Sequence, residues 1–199
     1  SLVTFTQRTK AGMALASDLV QVMGATKIGE TASHAVHLLR PPPSVPPLPC
    51  EVKGEAAPVQ LRVSENGADA RLVLDDDLAT FWVSPLPQQG TELVVGDVGA
   101  QRDVCGVVIA TGLNWDGFPR EVAIDVSTDD VTWKEILRTT GAPAAVRAAL
   151  VSAATTSSTL RFPTERARYV RIRQTGRSDS HWSIAEFTVL TAPRADAVQ

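Results

Sequence analysis

The sequence has little of what marks a reactive or membrane-bound protein. Its 199 residues include two cysteines, three histidines, two methionines and one tyrosine. Cys50, Cys105, His34, His37 and His181 form no CxxC or HxxxH spacing, so nothing points to a zinc site. No apolar run approaches the roughly 18 residues that a membrane-spanning helix needs. There is no excess of basic charge: Lys plus Arg is 19, Asp plus Glu is 22, and the net charge is −3. Nucleic-acid surfaces usually carry basic excess, so no nucleic-acid partner is expected. Neither GxGxxG nor GxxxxGK[ST] occurs, and there is no GxSxG elbow. His181 is the only histidine beyond residue 37, and its nearest serines (Ser178, Ser180, Ser183) share its loop. No nucleophile–base pair emerges, and no enzyme activity is expected of this chain.

What remains reads as a globular protein. Hydrophobic residues are 44% and charged residues 21%, a balance that folds around a core. The length suits one domain, or one domain with an appendage. The first residue is serine, which suggests a processed or excised segment and leaves room for a signal peptide out of view. A Cys50–Cys105 disulfide would close a loop of about 55 residues, worth roughly 4 kcal/mol in the chain-entropy picture. It would also imply an oxidising compartment. Two buried, reduced cysteines are the alternative.

Residues 1–40 read as an appendage with helical content. Met13, Leu15, Leu19, Val22 and Met23 form a helical stripe, and 33–39 suggests another short helical turn. Residues 41–50 follow as a proline-rich linker, with six prolines among positions 41–49. Such a run favours a stiff polyproline II spacer; a PxxP ligand for an SH3-type partner is the sharper reading. From 51 to 191 the period becomes two. Val59-Gln60-Leu61-Arg62-Val63, Val122-Ala123-Ile124-Asp125-Val126 and Tyr169-Val170-Arg171-Ile172-Arg173 alternate. Residues 91–95, 104–110 and 187–190 are rich in β-branched residues. Turn signals separate these runs at Asn66-Gly67, Asp116-Gly117, Asp129-Asp130 and Thr175-Gly176. Short strands spaced this way predict an all-β sandwich or barrel. The Ala-rich stretch 142–154 fits a helix or two weak strands, and Pro143 with the Thr/Ser run at 155–159 favours strand and loop. Residues 192–199 form a C-terminal tail.

Five phrases then line up in order. Leu74-Asp75-Asp76-Asp77-Leu78-Ala79-Thr80-Phe81-Trp82 is the first, and Val94-Val95-Gly96-Asp97-Val98-Gly99 the second. The third runs from Phe118-Pro119-Arg120-Glu121-Val122 to Val126-Ser127-Thr128-Asp129-Asp130-Val131-Thr132-Trp133. Ala167-Arg168-Tyr169-Val170-Arg171-Ile172 and His181-Trp182-Ser183-Ile184-Ala185-Glu186-Phe187 complete the set. Together they resemble the discoidin, or coagulation factor V/VIII type C, domain over about 56–191. Three positions depart from the pattern. Asp76 and Asp130 stand where the family has glycine, and Gly96-Asp97-Val98 carries an extra glycine and lacks leucine.

The resemblance implies an eight-stranded jelly-roll sandwich of the galactose-binding-like kind, and Trp82 and Trp133 as core residues. Bacterial relatives include family 32 carbohydrate-binding modules, non-catalytic parts of glycan-active or cell-surface proteins. Animal relatives bind phospholipid, collagen or other proteins. The family also implies a structural calcium held by Asp75, Asp77, the Thr80 carbonyl and Glu186. The alternative is that one aspartate caps a turn and the others are solvated. The missing glycine at 76 counts against the cation, because that glycine lets the loop bend.

Among the loops, Trp115 suits stacking on a sugar ring, unless it folds down over the sandwich edge. Trp182 reads as packing. In the resembling fold the loops near 64–70, 111–118 and 174–181 can meet at one end. Asn114, Trp115, Arg177 and His181 are therefore the candidate ligand set. An ordinary solvated loop is the alternative. Arg171 and Arg173 read as surface charge paired with Glu121 or Asp125. The expected function is a carbohydrate-binding module of an extracellular, periplasmic or cell-surface protein. A protein-interaction domain docking on its parent or a partner is the rival reading. A lipid-surface role is disfavoured by the negative charge.

Overall fold

The computed structural model describes residues 2–6, 26–30, 34–38, 55–114, 116–141, 144–145, 148 and 157–192. The chain divides into two compact units, Ser1–Pro46 and Pro47–Gln199. The stripe from Met13 to Met23, the proline run and Trp115 lie outside the described residues.

The first unit contains β1 (Leu2–Thr6), β2 (Thr26–Glu30) and β3 (His34–Leu38). They form an antiparallel sheet in the order β1-β3-β2. The helical turn expected at 33–39 is therefore wrong. Five residues are too few to gain much from a helix, whereas β3 pairs along its length with β1 and with β2 on its other side.

The second unit is the sandwich. Its strands are β4 (Glu55–Ala57), β5 (Gln60–Val63), β6 (Trp82–Pro87), β7 (Leu93–Ala110), β8 (Glu121–Ser127), β9 (Lys134–Thr140), β10 (Ser157–Gln174), β11 (His181–Ile184) and β12 (Glu186–Thr191). A 3-10 helix spans Gly67–Val73. Seven strands hydrogen-bond in the order β4-β12-β7-β10-β8-β9, with β5 also on β7, and β6 pairs with β11. β7 and β10 are the spine, each 18 residues long and antiparallel to the other. β7 pairs with β5 through its first half and with β12 through its second. Register shifts in β10 between Arg161 and Glu165 and between Ala167 and Tyr169 mark the crossing, where bulges turn a strand from one neighbour set to another.

Alternation decides the core. Val122, Ile124 and Val126 of β8 join Val170 and Ile172 of β10 in one buried cluster with Ile109, Phe162, Phe187 and Val189. Trp82 and Trp182 are fully buried and meet edge to face at 5.4 Å and 90°, a favoured aromatic geometry. Trp182 therefore packs, as its sequence context suggested. Trp133 does not join the core. It is half-buried on the outer face, with the Arg171 guanidinium 4.2 Å from its ring centre.

One further local expectation changes, and one open alternative is decided. Ala144, Ala145 and Ala148 are helical, so alanine's propensity prevails over the strand-and-loop reading. Cys105 is fully buried and disulfide-bonded, and Cys50 is the only other cysteine in the sequence. No helix among the described residues is long and apolar enough to cross a membrane.

Candidate functional site

The loops after β6, between β7 and β8, and between β10 and β11 meet at one end of the sandwich. Gln88 joins them. Its side chain is buried, with Nε2 donating to Phe118 O at 3.1 Å and Oε1 accepting the Arg120 N–H at 3.0 Å. Its backbone N–H donates to Ser180 O, and its carbonyl accepts from Ser178 N. One residue thus satisfies backbone groups of the other two loops, which burial would otherwise leave unpaired.

Arg120 works from the surface side. Nε donates to Ser178 Oγ at 3.1 Å, and Nη2 donates to Asp116 Oδ1 at 2.9 Å and Ser180 Oγ at 3.0 Å. Ser180 Oγ donates in turn to Asp116 Oδ2 at 2.5 Å. The guanidinium also lies 4.1 Å from the Phe118 ring centre. A planar fork with several fixed donors suits this bridging role. Below it, the buried Glu92 carboxylate accepts the N–H groups of Gln89, Gly90 and Thr91, which shapes the turn after Gln88. None of these three residues was singled out from the sequence. Their partners lie as far away as Ser180 is from Gln88, and only the Phe118-Pro119-Arg120 phrase gave any signal.

The sequence-chosen ligand residues fare unevenly. Asn114 is half-buried, and its Nδ2 donates to Ser183 Oγ at 3.0 Å. His181 is exposed, with Nδ1 2.7 Å from Ser84 O. Both therefore have a ring or amide atom committed to the protein. Arg177 is exposed and lines an open depression of about 430 Å³ with Gln88, Gln89, Ser178 and Asp179. The loop at 64–70 starts beside the 88–91 turn, with the Ser64 N–H donating to Leu93 O at 2.9 Å, and its Asn66 Nδ2 donates to Val83 O at 3.1 Å.

The acidic loop sits beside this end. Gly112, at φ +58, lies so close to Leu78 O that no side chain fits, which seats the 111–114 turn against the loop. Asp75 accepts the Thr80 hydroxyl at 2.8 Å and the Asp77 N–H at 3.1 Å. Asp77 accepts the Ala79 N–H at 2.9 Å. Asp76 has φ 60 and adopts the left-handed conformation for which the family uses glycine; aspartate tolerates this better than most residues. The loop therefore bends without glycine. Glu186 Oε1 is buried without a hydrogen-bond partner. Burial pushes the Glu186 carboxyl up, as do the nearby Asp76 and Asp75 charges, while backbone amides of Asp76 and Asp77 offset part of this. Among the described residues, no group of three or more His, Cys, Asp or Glu side chains gathers as a metal shell.

The outer sheet face is an ion-pair carpet. Asp125, buried on β8, accepts from Arg171 at 2.9 Å and from Arg173 at 2.7 Å. Arg173 also donates to Glu135 at 2.8 Å. Of the two alternative partners that the sequence offered, Asp125 is the one both arginines take.

Comparison with known proteins agrees with this architecture. The CBM32 domain of AlyQ, solved with 4,5-unsaturated mannuronic acid, superposes with a TM-score of 0.53 at 21% identity, covering 68% of this chain and 97% of that one. A truncated AlyQ with CBM32 and alginate lyase domains gives 0.55 at 21% identity and covers 70% of this chain, which spans only 34% of it. Chitosan-binding module 2 of a Paenibacillus sp. IK-5 chitosanase/glucanase, solved with chitotriose, gives 0.51 at 19% identity, covering 67% and 97%. At these identities the likeness establishes the fold. No curated protein matches the chain by sequence. The F5/8 type C domain model matches residues 57–187, two thirds of the chain, and the chain belongs to that family.

Proposed function

We propose that this chain is a non-catalytic carbohydrate-binding module that takes its ligand through the loops at the Gln88–Arg120 end of the sandwich. The observation that carries this reading is the three-loop clamp. It holds a polar, open depression in one shape before any ligand arrives, and preorganisation reduces the ordering cost of binding. The ligands in the solved relatives, a uronic acid and a chitooligosaccharide, lend support from the same fold. Absence of catalysis is supported by His181, which faces the Ser84 carbonyl rather than a serine hydroxyl. It is supported too by Asp125 and Glu92, whose charges are matched by arginines and backbone amides. As a binding module the chain would serve a larger extracytoplasmic or cell-surface protein, and the disulfide at Cys105 suits such a compartment.

The test is affinity electrophoresis against immobilised glycans, with Asn114→Ala, Trp115→Ala, Arg177→Ala and His181→Ala. Retardation by a glycan that weakens in Arg177→Ala and Trp115→Ala, with unchanged melting, supports the reading. A protein that no glycan retards, or four variants that bind like wild type, would overturn it.

A structural calcium belongs to the same proposal, held by Asp75, Asp77, the Thr80 carbonyl and Glu186. The unpartnered Glu186 Oε1 and the left-handed Asp76 support it. The Asp75 and Asp77 carboxylates already accept bonds within the loop, so the cation would compete with them. Calcium is expected to raise the melting temperature above its value in EDTA. Equal values would remove the cation and leave the carbohydrate reading standing.

A further inference from the structure

Ser178 is turned inward, its Oγ accepting from Arg120 Nε and from the Ser180 N–H. Its neighbours Arg177 and Asp179 are both exposed, line the same depression and bond to no described residue. Beside them, Gln89 Nε2 donates to Pro87 O, which leaves its Oε1 as an acceptor. Among the described residues, the depression thus presents one unpaired cation and one unpaired anion, with one amide oxygen beside them, on a loop that is clamped from beneath.

From this arrangement we infer that the site selects uncharged sugars carrying adjacent hydroxyls, and discriminates against both uronates and amino sugars. This rests on the carbohydrate reading above. A hydroxyl both donates and accepts, so neighbouring hydroxyls can give a proton to Asp179 and accept one from Arg177. A carboxylate only accepts. It gains at Arg177 and is repelled by Asp179 two residues away. An ammonium only donates, and meets the reverse. Opposite charges in one small depression also cancel at a distance, so there is little long-range field to draw in a charged ligand.

Titration calorimetry on the full chain tests this with three probes: neutral gluco- or galacto-oligosaccharides, uronate oligosaccharides and glucosamine oligosaccharides, each at low and high salt. Neutral sugars are expected to bind with an affinity that salt barely changes. Arg177→Ala and Asp179→Ala are each expected to weaken that binding about tenfold, the scale of one hydrogen bond to a charged group. Both positions are exposed, so melting should stay unchanged. Preference for uronates, weakened by salt and lost in Arg177→Ala but kept in Asp179→Ala, would overturn the inference while leaving a carbohydrate site. Preference for glucosamine oligosaccharides lost only in Asp179→Ala would do the same. No heat with any of the three would overturn both readings.

Discussion

Gln88 Oε1 accepts the backbone N–H of Arg120 at 3.0 Å, across 32 positions of sequence. Gln88 is 1% exposed, so this bond has no water to replace it. Removing the side chain strands the Arg120 N–H and the Phe118 carbonyl together. Gln88→Ala is therefore expected to cost about 1–3 kcal/mol by denaturant melts. It should also raise hydrogen exchange at 116–120 and 176–180, because the loops lose their common anchor. A variant with wild-type stability and exchange would show that the clamp does not hold the loops.

Asp76 and Asp130 share an unusual backbone, with φ 60 and φ 64. Glycine there removes the side-chain penalty of roughly 1 kcal/mol, although it adds unfolded-state freedom. Asp76→Gly is expected to be neutral or stabilising by up to about 1 kcal/mol. Asp130→Gly gives less, because Asp130 also accepts both hydrogen bonds of an exposed Arg62 pair, worth about 0–1 kcal/mol. Melts that rank the two in the opposite order would contradict this account.

Asp125 is 2% exposed and accepts from two arginines. Burial raises its pKa, but the bonds from Arg173 and Arg171 outweigh that and hold it below the ordinary range. Asp125→Ala leaves two half-buried guanidiniums beside an apolar gap. The expected loss is about 3 kcal/mol, with Asp125→Asn losing less because its oxygen still accepts. Equal, small losses in both would mean that the arginines find solvent at no cost.

Asp129 sets an acid response. The Thr132 and Val131 N–H groups and the Ser127 hydroxyl all donate to it and hold its pKa down at about 2, from an ordinary 3.8. A folded-state pKa below the unfolded value stabilises the protein above the unfolded value. That contribution is lost as pH falls from 3.8 through about 2. Wild-type melting temperature is expected to fall across this window. Asp129→Asn should fall less steeply, though not flatten, since Asp97 and Glu135 are depressed in the same direction and remain. Parallel curves would exclude Asp129 as a contributor.

Local pattern carried much of the fold. Val122 to Val126 and Tyr169 to Arg173 alternate because one face meets the core, and that period survives any loop. The length of β7 and β10 was not readable. Polar residues at 101–103, where β7 changes neighbours, break the alternation and divide one strand into two apparent ones. Trp133 misled for a similar reason: its phrase matched, but cover from Arg171 replaced burial in the core. Of the proposed site, the exposure of Arg177 was legible, because its polar loop is visible in composition. Gln88, Glu92 and Arg120 were not, because a buried glutamine is ordinary until its partners are known, and those partners belong to other loops.

The most direct measurement is the set of backbone amide shifts during titration of the full chain with a bound oligosaccharide. Changes are expected to concentrate at 86–91, 112–120 and 176–181, with β8, β9 and residues 1–46 unmoved. Shifts centred on the Trp133–Arg171 face or on the first unit, or none at saturating sugar, would contradict a binding site at the clamped loops.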